Sequence, residues 1–143
     1  MNKLIIFTDG GARNNPGPAG IGVVLYDENK KILETYKEYI GEATNNQAEY
    51  RALIKALELA QKYINSGQGQ NDQKVAIECF LDSELVVKQL NKEYKVKDPA
   101  IKELYNQVLD LSIFKSISFT HVRREQNKLA DKLVNEAIDE KHL

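Results

Sequence analysis

Two near-continuous apolar runs, each closed by an aspartate, constrain this chain more than any other feature. Lys3-Leu4-Ile5-Ile6-Phe7-Thr8 leads into Asp9, and Val75-Ala76-Ile77-Glu78-Cys79-Phe80-Leu81 leads into Asp82. Such runs mark strands covered on both faces, as in a parallel or mixed sheet held between helices. Glu49 and Asp131 complete a set of four acids, each of these two beside the apolar stripe of a predicted helix. Carboxylates are costly to desolvate unless something positive meets them. Four of them converging on one place call for divalent metal ions.

The rest of the chain supplies the frame for such a meeting. A first strand is predicted over about residues 3–9, then dense turn chemistry from Gly10 to Gly20. Strands at about 20–27 and 32–40, separated by the polar Asp27–Lys31, complete an antiparallel meander. A helix follows at about 46–64: Thr44 and Gln47 match a capping box, and Leu53, Leu57, Ala60 and Ile64 recur at helical spacing. Glu49 lies one turn before Leu53, on that inward stripe. Gly67–Gln73 reads as a flexible loop, and a strand at about 75–81 returns as a parallel crossover. Helices are predicted at about 83–91 (Leu85, Val86, Leu90) and 99–111 (Ile101, Leu104, Tyr105, Val108). A last strand at about 116–122 alternates Ile117, Phe119 and His121, and a final helix at about 127–139 buries Ala130, Leu133, Val134, Ala137 and Ile138. Asp131 sits one turn before Val134. Strands and helices in this order give a mixed α/β sheet with helices on its faces. Sites in such sheets form outside the carboxyl ends of the parallel strands. If the strands ending in Asp9 and Asp82 are neighbours, those two carboxylates meet.

A length of 143 residues suits one domain, expected to span 1–143, and 42% hydrophobic content suffices for a core. No run approaches the roughly 20 apolar residues of a membrane helix. The lone Cys79 excludes an internal disulfide, fits a reducing cytosol, and reads as a small buried hydrophobe, so a cytoplasmic monomer is expected. A net charge of −1 gives no global reason to expect nucleic-acid binding. Local basic clusters do exist, Lys88, Lys92, Lys95, Lys97 and Lys102 in one span and Arg123, Arg124 and Lys128 in another.

Two bare carboxylates about 4 Å apart repel by roughly 4 kcal/mol at an effective dielectric near 20. Oxygen-only donors suit Mg²⁺ or Mn²⁺, whereas zinc favours histidine and cysteine. Two such ions about 3.5–4 Å apart can activate a water and stabilise a departing oxygen. The chemistry implied is phosphodiester hydrolysis.

Four motifs carry a family resemblance. They are Thr8-Asp9-Gly10-Gly11 with Asn15-Pro16-Gly17-Pro18-Ala19-Gly20; Thr44-Asn45-Asn46-Gln47-Ala48-Glu49; Asp82-Ser83; and Arg124-Glu125-Gln126-Asn127-Lys128-Leu129-Ala130-Asp131. In this order, along nearly the whole chain, they resemble a type 1 ribonuclease H. The resemblance implies a five-stranded mixed sheet ordered 3-2-1-4-5, with strand 2 antiparallel to the others. It implies an endonuclease that cleaves RNA paired with DNA by a two-metal mechanism, leaving 5′-phosphate and 3′-hydroxyl ends. Asp9 would bridge both ions, which are Mg²⁺ with Mn²⁺ as a substitute. Asp131 would help hold the ion that activates water, and Glu49 and Asp82 the ion near the leaving 3′-oxygen.

The resemblance places Asn15, Asn45 and Asn46 at substrate-contact positions, and Gly10, Gly11, Arg13, Thr44, Gln47 and Arg124 are further expected to bind substrate. Amide side chains both donate and accept, which suits sequence-blind reading of hydroxyls, base edges and phosphates. The 2′-hydroxyl marks the RNA strand across a wide minor groove. Thr44 and Asn46 are further assigned to a phosphate pocket for the DNA strand, a role compatible with capping the helix. The chain departs from many relatives in three ways. It has no glycine-flanked histidine before the fourth acid, where Arg124 or Glu125 stands instead. It has no tryptophan-rich basic handle. It has Glu84 where some relatives carry an amide. Competing expectations are a nuclease-dead hybrid-binding module and a nuclease of the same fold acting on RNA duplex or DNA.

Overall fold

The computed structural model describes residues 2–65, 75–112 and 116–141. Five strands form one sheet: β1 (Lys3–Ala12), β2 (Gly17–Tyr26), β3 (Ile32–Ala43), β4 (Ala76–Leu81) and β5 (Ser116–His121). Their spatial order is β3-β2-β1-β4-β5, as the resemblance implied. β2 runs antiparallel to β1 and β3, while β1, β4 and β5 are parallel. The helices are α1 (Asn45–Asn65), α2 (Glu84–Leu90), α3 (Pro99–Ser112) and α4 (Lys128–Lys141), with a 3₁₀ turn at Arg124–Gln126 that the sequence did not announce. The predicted loop Gly67–Gln73 lies outside the described residues.

The sheet is covered on both faces. Leu4, Ile6, Val23, Leu25, Ile77, Cys79 and Leu81 pack in one core with α1, α2 and α3. On the other face Val24 and the half-buried Phe7 meet Ala130 and Leu133 of α4. The helix α1 begins as its sequence requires: the Gln47 amide N–H donates to Thr44 Oγ1 (3.1 Å) and the Thr44 N–H to Gln47 Oε1 (2.9 Å), a reciprocal capping box. Its stripe of Leu53, Leu57 and Ala60 is fully buried, each leucine contributing roughly 1.5–3 kcal/mol. Tyr50 joins that stripe, and its hydroxyl donates to Gln89 Oε1 at 2.7 Å, tying α1 to α2.

Three expectations are corrected. The segment from Gly10 to Gly20 is mostly strand, not turn; pairing continues through Gly10↔Ile21, Gly11↔Gly20 and Ala12↔Ala19, so only residues 13–16 turn the chain. The glycines there answer to packing. A Cβ on Gly10 would stand 2.2 Å from the carbonyl oxygen of Ala48, and one on Gly22 2.3 Å from that of Ala130. In the short helix α2, Leu85 is exposed and Val87 is buried with Val86 and Leu90, because two turns present only one narrow inward face. In β5, Ile117 and Phe119 pack inward, but His121, at the end of an edge strand, is exposed.

The close approach at Gly10 makes a prediction. Gly10→Ala places a methyl against helix backbone that cannot rotate aside. It is expected to cost about 3 kcal/mol or more, read as a lowered denaturant midpoint. An unchanged midpoint would mean that α1 shifts freely, contrary to this packing.

Candidate active site

The parallel ladder between β1 and β4 ends at Thr8↔Leu81, so Asp9 and Asp82 follow on adjacent strands at the same edge. Two helices bring the other acids there, α1 from its second turn and α4 from its first. Glu49 projects from α1 and Asp131 from the start of α4. Asp9 and Glu49 are each only 7% exposed. Carboxylate oxygens of Asp9, Glu49 and Asp82 all lie within 4.8 Å of one another. Asp131 stands outside that trio but close enough to Asp9 for its charge and side chain to act on the Asp9 carboxyl. All four acids line one open hollow of about 280 Å³. A larger hollow, about 350 Å³ between β3, α1 and α3, sets Arg51 and Lys55 against Glu38 and Glu58 and gathers no acid cluster.

Among the described residues, none of the four acids is paired with a lysine or arginine. Burial pushes the Asp9 carboxyl up to about 8, with the charges of Asp82 and Asp131 and the Asp131 hydrogen bond acting the same way. Burial, then the charges of Asp9 and Asp82, raises Glu49 well above the ordinary carboxylate range. The Gly10 N–H opposes both shifts and donates to Glu49 Oε1 at 3.1 Å. Acids perturbed by burial and by one another, with no ion pair to a lysine or arginine among the described residues, mark a place suited to an external cation. The donor set fits a hard divalent ion. Oxygens sharing one octahedral Mg²⁺, each about 2.1 Å from it, stand about 3–4 Å apart, close to the span of this trio.

The residues expected to bind substrate fall into two adjoining places. Gly10, Gly11, Arg13, Asn45 and Arg124 line the acid hollow itself. Asn15, Thr44, Asn46 and Gln47 line a neighbouring hollow of about 270 Å³, where Asp98 and Ile101 join them. The two are linked by side chain to backbone bonds. Asn45 Oδ1 accepts from the Ala12 N–H (2.8 Å), and Asn15 Oδ1 accepts from the Asn45 N–H (2.8 Å). Both amide oxygens are therefore engaged, which leaves the NH₂ groups as donors. Arg13 is held on α4, 2.6 Å from Asp139 and 3.3 Å from Asn135 Oδ1. Arg124 is exposed at the hollow and forms no ion pair among the described residues. Glu84 pairs with Lys88 at 3.6 Å, and Lys88 also lies over the Tyr94 ring.

Sequence reasoning missed Asp98, Asn127 and Asn135. Asp98 starts α3, its Oδ1 accepting from the Ala100 N–H at 2.8 Å. Asn127 belongs to the fourth motif and opens the predicted last helix, but neither assigns its side chain a role. Its burial, 2% exposed, gives no signal in a polar stretch of sequence.

Comparison with known proteins agrees with this geometry. A family model described as "Reverse transcriptase-like" matches residues 7–137. The chain is 42% identical over 139 residues to the Ribonuclease HI of Halobacterium salinarum, covering 96% of this chain and 65% of that protein. It is equally similar, at 42% over 139 residues, to the Bifunctional protein Rv2228c of Mycobacterium tuberculosis, of which it spans only 36%. Among solved structures, LC11-RNase H1 in complex with an RNA/DNA hybrid superposes with a TM-score of 0.90 at 46% identity, covering 98% of this chain and 99% of that one.

Proposed function

The chain belongs to the type 1 ribonuclease H family, and from that premise we propose that it is an endonuclease hydrolysing the RNA strand of RNA–DNA hybrids with two divalent metal ions. The observation that carries this reading is the convergence of Asp9, Glu49 and Asp82 within 4.8 Å, with Asp131 against Asp9 and no cationic side chain among them. The hybrid bound by LC11-RNase H1 supports the choice of substrate. Mg²⁺ or Mn²⁺ ions, once held there, neutralise the acids, activate a water and stabilise the departing oxygen.

The protein's own residues divide the remaining work. Asp9 lies between Asp131 on one side and Glu49 with Asp82 on the other, so it would be placed to hold both ions. By the family resemblance Asp131 would help hold the ion that activates water, and Glu49 and Asp82 the ion near the leaving 3′-oxygen. The Gly10 N–H fixes Glu49 through its Oε1. Asn15 and Asn45, their oxygens engaged by backbone, present N–H donors to acceptors of the nucleic acid, the RNA 2′-hydroxyl among them. Arg124, exposed at the hollow and without an ion pair among the described residues, would offer its guanidinium to an anionic ligand, which suits the phosphate being cut.

Arg124→Ala is therefore expected to lower turnover about tenfold or more, while Lys97→Ala, on the loop between α2 and α3, changes it little. Steady-state kinetics of the two variants checks this, and equal small effects would remove Arg124 from the site. The reaction itself is tested with an end-labelled RNA strand paired with DNA, paired with RNA, or left single. The hybrid should be cut fastest, leaving a 3′-hydroxyl on the upstream fragment. A 2′,3′-cyclic phosphate would show attack by the 2′-hydroxyl and exclude the two-metal hydrolysis proposed.

A further inference from the structure

Asn127 precedes α4, where an asparagine usually accepts a helical N–H with its side-chain oxygen. Here it does something else. Its Oδ1 is buried without a hydrogen-bond partner, while its Nδ2 donates 2.8 Å to the backbone carbonyl of Thr8, 119 residues away in sequence. The side chain is 2% exposed. A buried acceptor left unsatisfied is costly, so the capping bond is forgone in favour of this long-range one.

The bond joins two particular points. Thr8 is the residue immediately before Asp9 and the last β1 residue paired with β4. Asn127 is one helical turn before Asp131, whose N–H donates to the Asn127 carbonyl at 3.1 Å. One amide thus couples the backbone that carries Asp9 to the backbone that carries Asp131. Those two carboxyl groups repel when both are ionised. Farther along, α4 is held to the sheet by Val24 against Ala130 and Leu133, by the close approach of Gly22 to Ala130 and by the Arg13–Asp139 pair, while the Asn127–Thr8 bond ties the start of α4 to the backbone beside Asp9.

We infer that Asn127 is a positioning residue for the metal site, holding Asp131 at the separation from Asp9 that a shared divalent ion requires. This rests on the metal-dependent reading above. Residues that orient metal ligands typically change metal affinity or activity by about 10–100-fold when replaced.

Two substitutions separate this role from helix capping. Asn127→Ser keeps a good cap residue but is too short to reach Thr8. Asn127→Asp keeps shape and cap but cannot donate. Calorimetric titration of Mn²⁺ into wild type and each variant, without nucleic acid, reads the site directly. The expected result is metal affinity weakened at least tenfold in both variants, with the melting temperature in chelator closer to wild type for Asn127→Ser than for Asn127→Asp, which buries a carboxylate against the Thr8 carbonyl. The metal concentration for half-maximal cleavage should rise in step, while KM for the hybrid at saturating metal stays unchanged. Wild-type metal affinity in the variants, or lost stability with affinity intact, would overturn the inference alone. Absence of Mn²⁺ binding by the wild type would overturn it together with the metal-dependent reading.

Discussion

Asp9→Asn is expected to reduce hybrid cleavage by on the order of 10³-fold or more while leaving the fold intact and, in chelator, more stable than wild type. The loss follows from position. Asp9 is the acid in contact with both Asp131 and the Glu49–Asp82 pair, so an amide there weakens the hold on both ions. Removing a single essential electrostatic group of this kind commonly costs about 10²–10³ in rate. The gain in stability follows from the same place. A carboxylate only 7% exposed, beside three other acids and with no ion pair among the described residues, is a destabilising charge in the folded protein. Asparagine has nearly the same shape and carries no charge. Cleavage assays in Mg²⁺ and thermal melts in chelator check the two halves separately. A variant that melts well below wild type without metal would contradict the account, because Asp9 would then be a structural residue.

The second large effect is on pH dependence without metal. Asp9 is raised from about 3.8 to about 8, chiefly by burial and then by Asp82 and Asp131. A carboxyl raised on folding binds its proton more tightly in the native than in the unfolded state. Its contribution to stability is then fully present below pH 3.8 and is lost as pH rises through about 8. Glu49, also raised, acts in the same direction. The stability of Asp9→Asn relative to wild type in chelator should therefore grow between about pH 4 and pH 8, by up to about 5 kcal/mol. Saturating Mg²⁺ should flatten the difference, since an ion that binds the ionised cluster stabilises by about 2.7 kcal/mol at a hundred times its Kd. Urea unfolding of both proteins across this range measures it. Parallel profiles for the two in chelator would show that Asp9 does not titrate abnormally.

The features most legible in the sequence were those tied to periodicity. The buried set of α4, Ala130, Leu133, Val134, Ala137 and Ile138, is as its spacing predicts. The Thr44–Gln47 capping box forms as its pattern predicts. The meeting of Asp9 and Asp82 followed from two apolar runs of similar length, given neighbouring strands. The strand ends were less legible around Gly10–Gly20. Glycine and proline there signal a turn, yet the residues stay paired because two helices lie too close for side chains at Gly10 and Gly22. That requirement is tertiary and leaves no local trace. Leu85 was misplaced because seven residues are too few for spacing to fix which face of α2 turns inward, and His121 because the end of an edge strand is left open to solvent.

Within the site, the acids were legible because carboxylates on inward stripes are rare. Asn127 and Arg13 were not understood from sequence in the same way. The partner of Asn127, the Thr8 carbonyl, is a backbone atom 119 residues distant. Arg13, read as a substrate contact, is held by Asp139 and Asn135 one turn apart on α4. Any contact it makes with nucleic acid must compete with that pairing.

If the four acids form a divalent-metal nuclease site, cleavage must depend on both metal and carboxylates. The most direct measurement follows cleavage of a labelled RNA strand paired with DNA in Mg²⁺, in Mn²⁺ and in chelator, for wild type and Asp82→Asn. Cleavage that requires metal and disappears in the variant is the predicted result. Binding of the hybrid without cleavage under every metal condition, or cleavage that persists in chelator, would contradict it.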